Sequence, residues 1–335
     1  MAGKRFLSHL QLGKETTAGT AVAATRRVFP EGSGILDEDP QLTFHEDRAT
    51  GVKNPISYAT QMGEVVAISY RTAPATGVYW DELLYPFCQL DGGNSGTGAG
   101  ADKAWTFTPT EDGDSAPEAF TIETGDATQN YEVEYCHALN WELSASRDSM
   151  TQLAINWFGR QVTKSTKTSV ASTDPVRFPG YLWTIKHATA QSGLTAASVE
   201  TNFLRSFTLH VDTGLFPEFY LDGNTYFGQM QENGGLGGTL NLVVDSTALA
   251  VSEYYDKWKA RTPSFIRLKA TGPTLGGTNY IAQVDLCVMY TKVRPLGSVS
   301  ANGINLYEVD AVIAHDSTWA HGIATALTCA LATIA

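Results

Sequence analysis

Residues 139–158 read Leu-Asn-Trp-Glu-Leu-Ser-Ala-Ser-Arg-Asp-Ser-Met-Thr-Gln-Leu-Ala-Ile-Asn-Trp-Phe. Leu139, Trp141, Leu143 and Ala145 are apolar and alternate with Asn140, Glu142 and Ser144. A period of two places one set in a core and the other in water, which is a half-buried strand. Arg147-Asp148-Ser149 then breaks the run. Leu153, Ile155 and Trp157 resume it, as the return strand of a hairpin does.

The same alternation extends outward in both directions. It recurs at Phe207, Leu209 and Val211, at Leu240, Leu242 and Val244, and at Tyr280, Ala282, Val284, Leu286 and Val288. Clusters of Gly, Pro, Asn and Asp separate these runs, as turns require. Two segments read as helix. Ser246–Lys259 opens on hydroxyl caps and sets Val251, Tyr254, Tyr255 and Trp258 on one face. Thr76–Tyr85 repeats that spacing with Tyr79, Trp80, Leu83 and Leu84, and Pro86 should end it. Each helix follows an alternating strand, Val65–Tyr70 or Thr239–Asp245. The strand–helix unit therefore recurs about half a chain apart. Lys164–Pro175, polar and rich in Ser and Thr, is the natural linker. The expected fold is mainly β, with two tandem β-sandwich modules over 1–170 and 171–335, each carrying one short α-helix.

A chain of 335 residues has the length for two such modules. With 23 basic and 35 acidic residues its net charge is −12, which repels phosphate and argues against tight nucleic-acid binding. Cys88, Cys136, Cys287 and Cys329 are far apart, with neither metal-ligand spacing nor disulfide density, so buried free thiols are expected. No run reaches the roughly 18 apolar residues of a membrane helix, and the N-terminus has no signal-peptide pattern.

The sequence offers no convergent set of reactive residues, so no catalytic, cofactor-binding or metal residue is expected. Gly92–Gly100 lacks the Lys-Ser/Thr of a phosphate loop, and Gly234–Gly238 precedes a strand; both read as loops. His315, Asp316 and His321 have no chelating spacing. Glu132 with Glu134, and Glu308 with Asp310, are paired carboxylates on strands. They could serve a β-fold hydrolase, but without partners they read as acidic solvated faces.

At the N-terminus, Lys14, Glu15, Thr16, Thr17, Gly19, Thr20, Ala21, Val22 and Ala23 form a segment that resembles the opening of the bacteriophage tail-tube (major tail) proteins of long-tailed phages. The strand pair Ala138–Ser144 and Thr151–Trp157 is similar to one in that family, as is Phe207–Thr213 leading into Phe219–Asn224. Ala18 stands where the family often has an aromatic, and Asp91–Asp102 has no counterpart there. The resemblance implies a virion structural protein, not an enzyme, assembled in the host cytoplasm and located in the tail. Such subunits form rings that stack into a tube, the conduit for the tape-measure protein and for DNA passing without tight binding. Tail initiator and terminator proteins would be further partners, with no membrane involved. It implies a ring-stacking arm at Lys14, Glu15, Thr16, Thr17, Gly19 and Thr20, and makes Glu132, Glu134, Glu308 and Asp310 candidates for the lumen. Six modules per ring, two per chain, would make the ring a trimer with pseudo-sixfold symmetry; a hexamer follows if one half alone builds the barrel. The alternative is a carbohydrate-binding tail-tip or adhesin sandwich. It would need exposed aromatics, for which Trp105, Trp183 and Trp319 are the candidates.

Overall fold

The 139–158 hairpin forms in a computed structural model that describes residues 8–31, 35–46, 56–92, 95–98, 100–109, 117–126, 128–171, 176–232, 235–299 and 303–334. Strand accounts for 56% and helix for 10%, so the protein is mainly β with large antiparallel sheets. Parts of the expected loops and linker, at 93, 94, 99, 172–175 and 234, lie outside the described residues.

The first half contributes β1 (His9–Lys14), β2 (Arg26–Val28), β3 (Ile35–Asp39), β4 (Leu42–Glu46), β5 (Ile56–Gln61) and β6 (Val65–Arg71). A short helix follows, and then β7 (Lys103–Phe107), β8 (Phe120–Gly125), β9 (Asn130–Ser146), β10 (Gln152–Gly159) and β11 (Gln161–Ser165). The second half contributes β12 (Trp183–Ala188), β13 (Leu204–Asp212), β14 (Leu215–Glu218), β15 (Gln229–Glu232) and β16 (Gly237–Asp245). Its helix precedes β17 (Ser264–Leu275), β18 (Thr278–Val299), β19 (Asn305–Ile313) and β20 (Ile323–Cys329).

Sixteen strands join in one sheet, and the pairing repeats. The first half runs β1-β8-β9-β10-β6-β3 and the second β12-β17-β18-β19-β16-β13, so corresponding strands have corresponding neighbours. Each half also folds a separate two-stranded hairpin at the same point in the chain, β4–β5 or β14–β15. The long strands β9 and β18 both change partners midway, and both carry a β-bulge against the next strand, at Leu139 and Thr291. A bulge adds a residue to one strand of the pair and re-phases the side chains beyond it. The two halves share an apolar core, with Trp141, Phe178, Leu209, Leu242 and Val284 among its members. In addition, β7 of the first half pairs with β20 of the second.

Most of the alternation is as expected: Trp141, Leu143, Leu153, Ile155, Phe207, Leu209, Leu240, Val284 and Leu286 are buried. Leu139 is the exception at 45% exposure, because the bulge sets Ala138, not Leu139, opposite Trp157. The second helix starts where Thr247 Oγ1 accepts from the Ala250 N–H, but it is π-helical over Val251–Asp256. That wider turn leaves Tyr254 buried and Val251 exposed, which the regular helical spacing does not anticipate. The first helix begins at Trp80, and its last turn, Leu84–Phe87, contains Pro86 instead of stopping before it. Pro86 is the third residue of that four-residue turn and so lies within the first turn of the α-helical segment, where backbone N–H groups have no partner inside the segment. Buried Glu82 holds the entrance by accepting from the Tyr79 and Phe29 N–H groups and the Tyr70 hydroxyl; burial raises its carboxyl to about 7.

Candidate functional site

The two halves meet at a joint made of ordinary sheet chemistry. Strand β13 pairs antiparallel with the distal part of β9, Leu209 opposite Leu143, His210 opposite Glu142 and Asp212 opposite Asn140. Just past it, Thr213 donates from its N–H to the Leu139 carbonyl at 3.1 Å and from its hydroxyl to the Ala138 carbonyl at 2.7 Å. The β14–β15 hairpin then closes over the first half, where Leu215 and Phe227 pack with Ala119, Tyr135 and Phe158. Beneath lies His137, pushed down to about 3 by burial, with neither ring nitrogen hydrogen-bonded among the described residues.

The joint has an open counterpart at each end of the strand run β18-β19-β16-β13-β9-β10-β6-β3. Strand β3 pairs only with β6 among the described residues, so its outer edge is free. The distal part of β18, beyond its last pair with β17 at Val288, pairs with β19 and has no strand on its other side among the described residues. The β4–β5 hairpin is open too. Leu42 and Leu215 each stand three residues past the end of the preceding strand, at Asp39 and Asp212, and pair with Gln61 and Glu232; Ile56 and Phe227 each stand five residues before those partners. Leu215 and Phe227 are 2% and 0% exposed, whereas Leu42 and Ile56 are 46% and 51% exposed. Phe44 extends this apolar surface, while Tyr58 stacks on His45 on the opposite face of the hairpin. Grouped exposed apolar side chains of this kind mark an interaction surface, a ligand groove or an aggregation liability.

One face of the eight-strand run β18-β19-β16-β13-β9-β10-β6-β3 is polar and wet. Ser69 donates to Asn156, which donates to Asn140 at 2.8 Å; in the second half Asn241 donates to Asp310 at 2.8 Å. Glu308 and Asp310 lie on this face, both paired to Arg294 at 3.0 and 2.6 Å. Glu132 and Glu134 do not join them. They stand on the proximal part of β9, opposite β8 and β11, where Glu134 pairs with Arg160 at 2.8 Å and burial raises the Glu132 carboxyl.

The segment Lys14–Thr20 is anchored at its base. Lys14 ends β1 and pairs with Glu118 at 2.7 Å. Buried Glu15 accepts from the Gly19 and Tyr135 N–H groups at 2.6 and 2.7 Å and from the Thr121 hydroxyl at 2.9 Å. Glu123, also buried, accepts from the Ala24 N–H at 3.0 Å. Gly19 turns the chain at a φ of +76°, and Arg160 donates to its carbonyl. Thr16, Thr17 and Thr20 are exposed at the tip of this held loop. Glu118, just before β8, and Glu123, within it, carry no sequence signal, since a lone Glu reads as solvated.

Among the described residues no cluster of three or more His, Cys, Asp or Glu could hold a metal ion. Trp105 and Trp183 are buried, donating to the Leu331 carbonyl and the Thr151 hydroxyl, and Trp319 packs against Phe265. No family model and no curated protein sequence matches the chain.

Proposed function

We propose that the protein is a phage tail-tube subunit, two tandem β-sandwich modules over 1–170 and 171–335 that polymerise as stacked rings. The observation that carries this is the repeated strand order, in which the inner joint of the chain has an unfilled counterpart at β3 and distal β18. A head-to-tail surface of this kind closes into rings when its rotation permits. Three copies of the eight-strand run would close a barrel wide enough to leave a channel, giving a trimer with pseudo-sixfold symmetry. The polar face bearing Glu142, Glu308 and Asp310 suits the lumen, since a net charge of −12 lets DNA slide and not bind. The held loop Lys14–Thr20 suits contact with the next ring, with tape-measure, initiator and terminator proteins as the other partners.

Electron microscopy of the concentrated protein tests this reading. Rings or tubes of uniform bore with three copies per ring are expected. A strictly monomeric particle that binds glycan would replace it with the adhesin-type reading, which the burial of Trp105 and Trp183 disfavours.

A further inference from the structure

The inner joint prescribes the register of the outer one. The bulges at Leu139 and Thr291 align the halves, so that Asn140 corresponds to Lys292 and Glu142 to Arg294. Likewise β13 and β3 align through their pairs with β16 and β6, so that His210 corresponds to Asp37 and Asp212 to Asp39. Transferring the pairs His210–Glu142 and Asp212–Asn140 to the open ends sets Asp37 opposite Arg294 and Asp39 opposite Lys292.

We propose that β3 of one copy adds antiparallel to distal β18 of a second copy in this register, through a charge-matched joint whose formation is set by ionic strength. The inference rests on the ring reading above. Three independent features fit it. The free edge of β3 carries Asp37, Glu38 and Asp39, none of them in an ion pair among the described residues, and the facing edge carries Lys292 and Arg294, of which Lys292 has no ion pair there either. Opposite charges directly across a strand pair attract, and like charges there repel. Pro40 stands where Thr213 serves the Leu139 carbonyl, and it has no N–H to give; at that place the Trp258 indole already donates to the Thr291 carbonyl at 3.2 Å. Finally, exposed Val312 stands where Phe158 receives the β14–β15 hairpin, ready for Leu42 and Ile56 of the neighbour.

The inner joint would then be indifferent to salt and the outer joint sensitive to it, since the screening length shrinks from about 10 Å at 0.1 M to about 3 Å at 1 M salt. The test uses the full chain with Asp39→Lys, Lys292→Asp and the two combined, followed by sedimentation from low to high salt. Each single variant should need roughly tenfold more protein to assemble at low salt, and the combined variant should return to within about threefold of the parent. A second pair, Asp39→Cys with Lys292→Cys, should give cross-linked chains under oxidation, which reports the register without relying on charge. Parent assembly with singles unaffected, or a double no better than the singles, overturns this joint and leaves the ring reading standing. A parent that never self-associates overturns both.

Discussion

Leu215 and Leu42 hold the same place in two hairpins, yet one is sealed into the core and the other lies in solvent. The same holds for Phe227 and Ile56. The hairpins do not differ in apolar character; they differ in whether a body lies beneath them. The β14–β15 hairpin finds Tyr135 and Phe158 of its own chain, whereas β4–β5 is a separate two-stranded sheet whose Leu42 and Ile56 join no buried cluster among the described residues. Exposure here reports what lies beneath the hairpin among the described residues and not a more polar sequence.

Phe227→Ala strikes the sealed side hardest. It should cost about 3–5 kcal/mol in urea unfolding of the dilute chain, because the ring leaves a cavity among Tyr135, Phe158 and Phe219. Next is the titration of His137, whose place in the second half is taken by Met289. A folded-state value of about 3 against the ordinary 6.5 means the neutral ring's contribution is fully present above pH 6.5 and is lost as pH falls toward 3. His137→Met should therefore flatten the acid side of the stability profile by up to about 1.4 kcal/mol per pH unit between pH 6 and 4, read from denaturation midpoints. The smallest effect belongs to Ile56→Ala, within about 0.5 kcal/mol in the dilute chain. That variant should nevertheless raise the concentration needed for assembly. An Ile56→Ala cost matching that of Phe227→Ala in a monomer would erase the contrast between the hairpins.

The strands were legible in the sequence because alternation is a local property, and the faces of β13 and β16 follow it residue by residue. Leu139 departed from it because a bulge depends on the partner strand, which no local period encodes. Val251 departed because one π-turn shifts every later side chain around the helix. The strand–helix repeat was visible as element order, but the pairing of β9 with β13 and of β7 with β20 was not, since alternation says which face is buried and never against whom. At the candidate surfaces, the carboxylate pairs Glu132–Glu134 and Glu308–Asp310 looked alike as sequence. The fold separates them, because β9 changes partners between Glu134 and Glu142. The acidic run Asp37–Asp39 and the basic pair Lys292 and Arg294 acquired meaning only once the inner joint supplied a register.

The covalent continuity of the β13–β9 joint has a kinetic consequence. In the ring proposed above, two neighbouring positions would arrive already tethered, at an effective concentration fixed by the chain between them rather than by the solution. If three chains close a ring, nucleation is a three-body event instead of a six-body one, and its rate climbs less steeply as protein accumulates. Half the seams of such a ring would be completed when the chain folds, so only the other half could be timed by the surroundings.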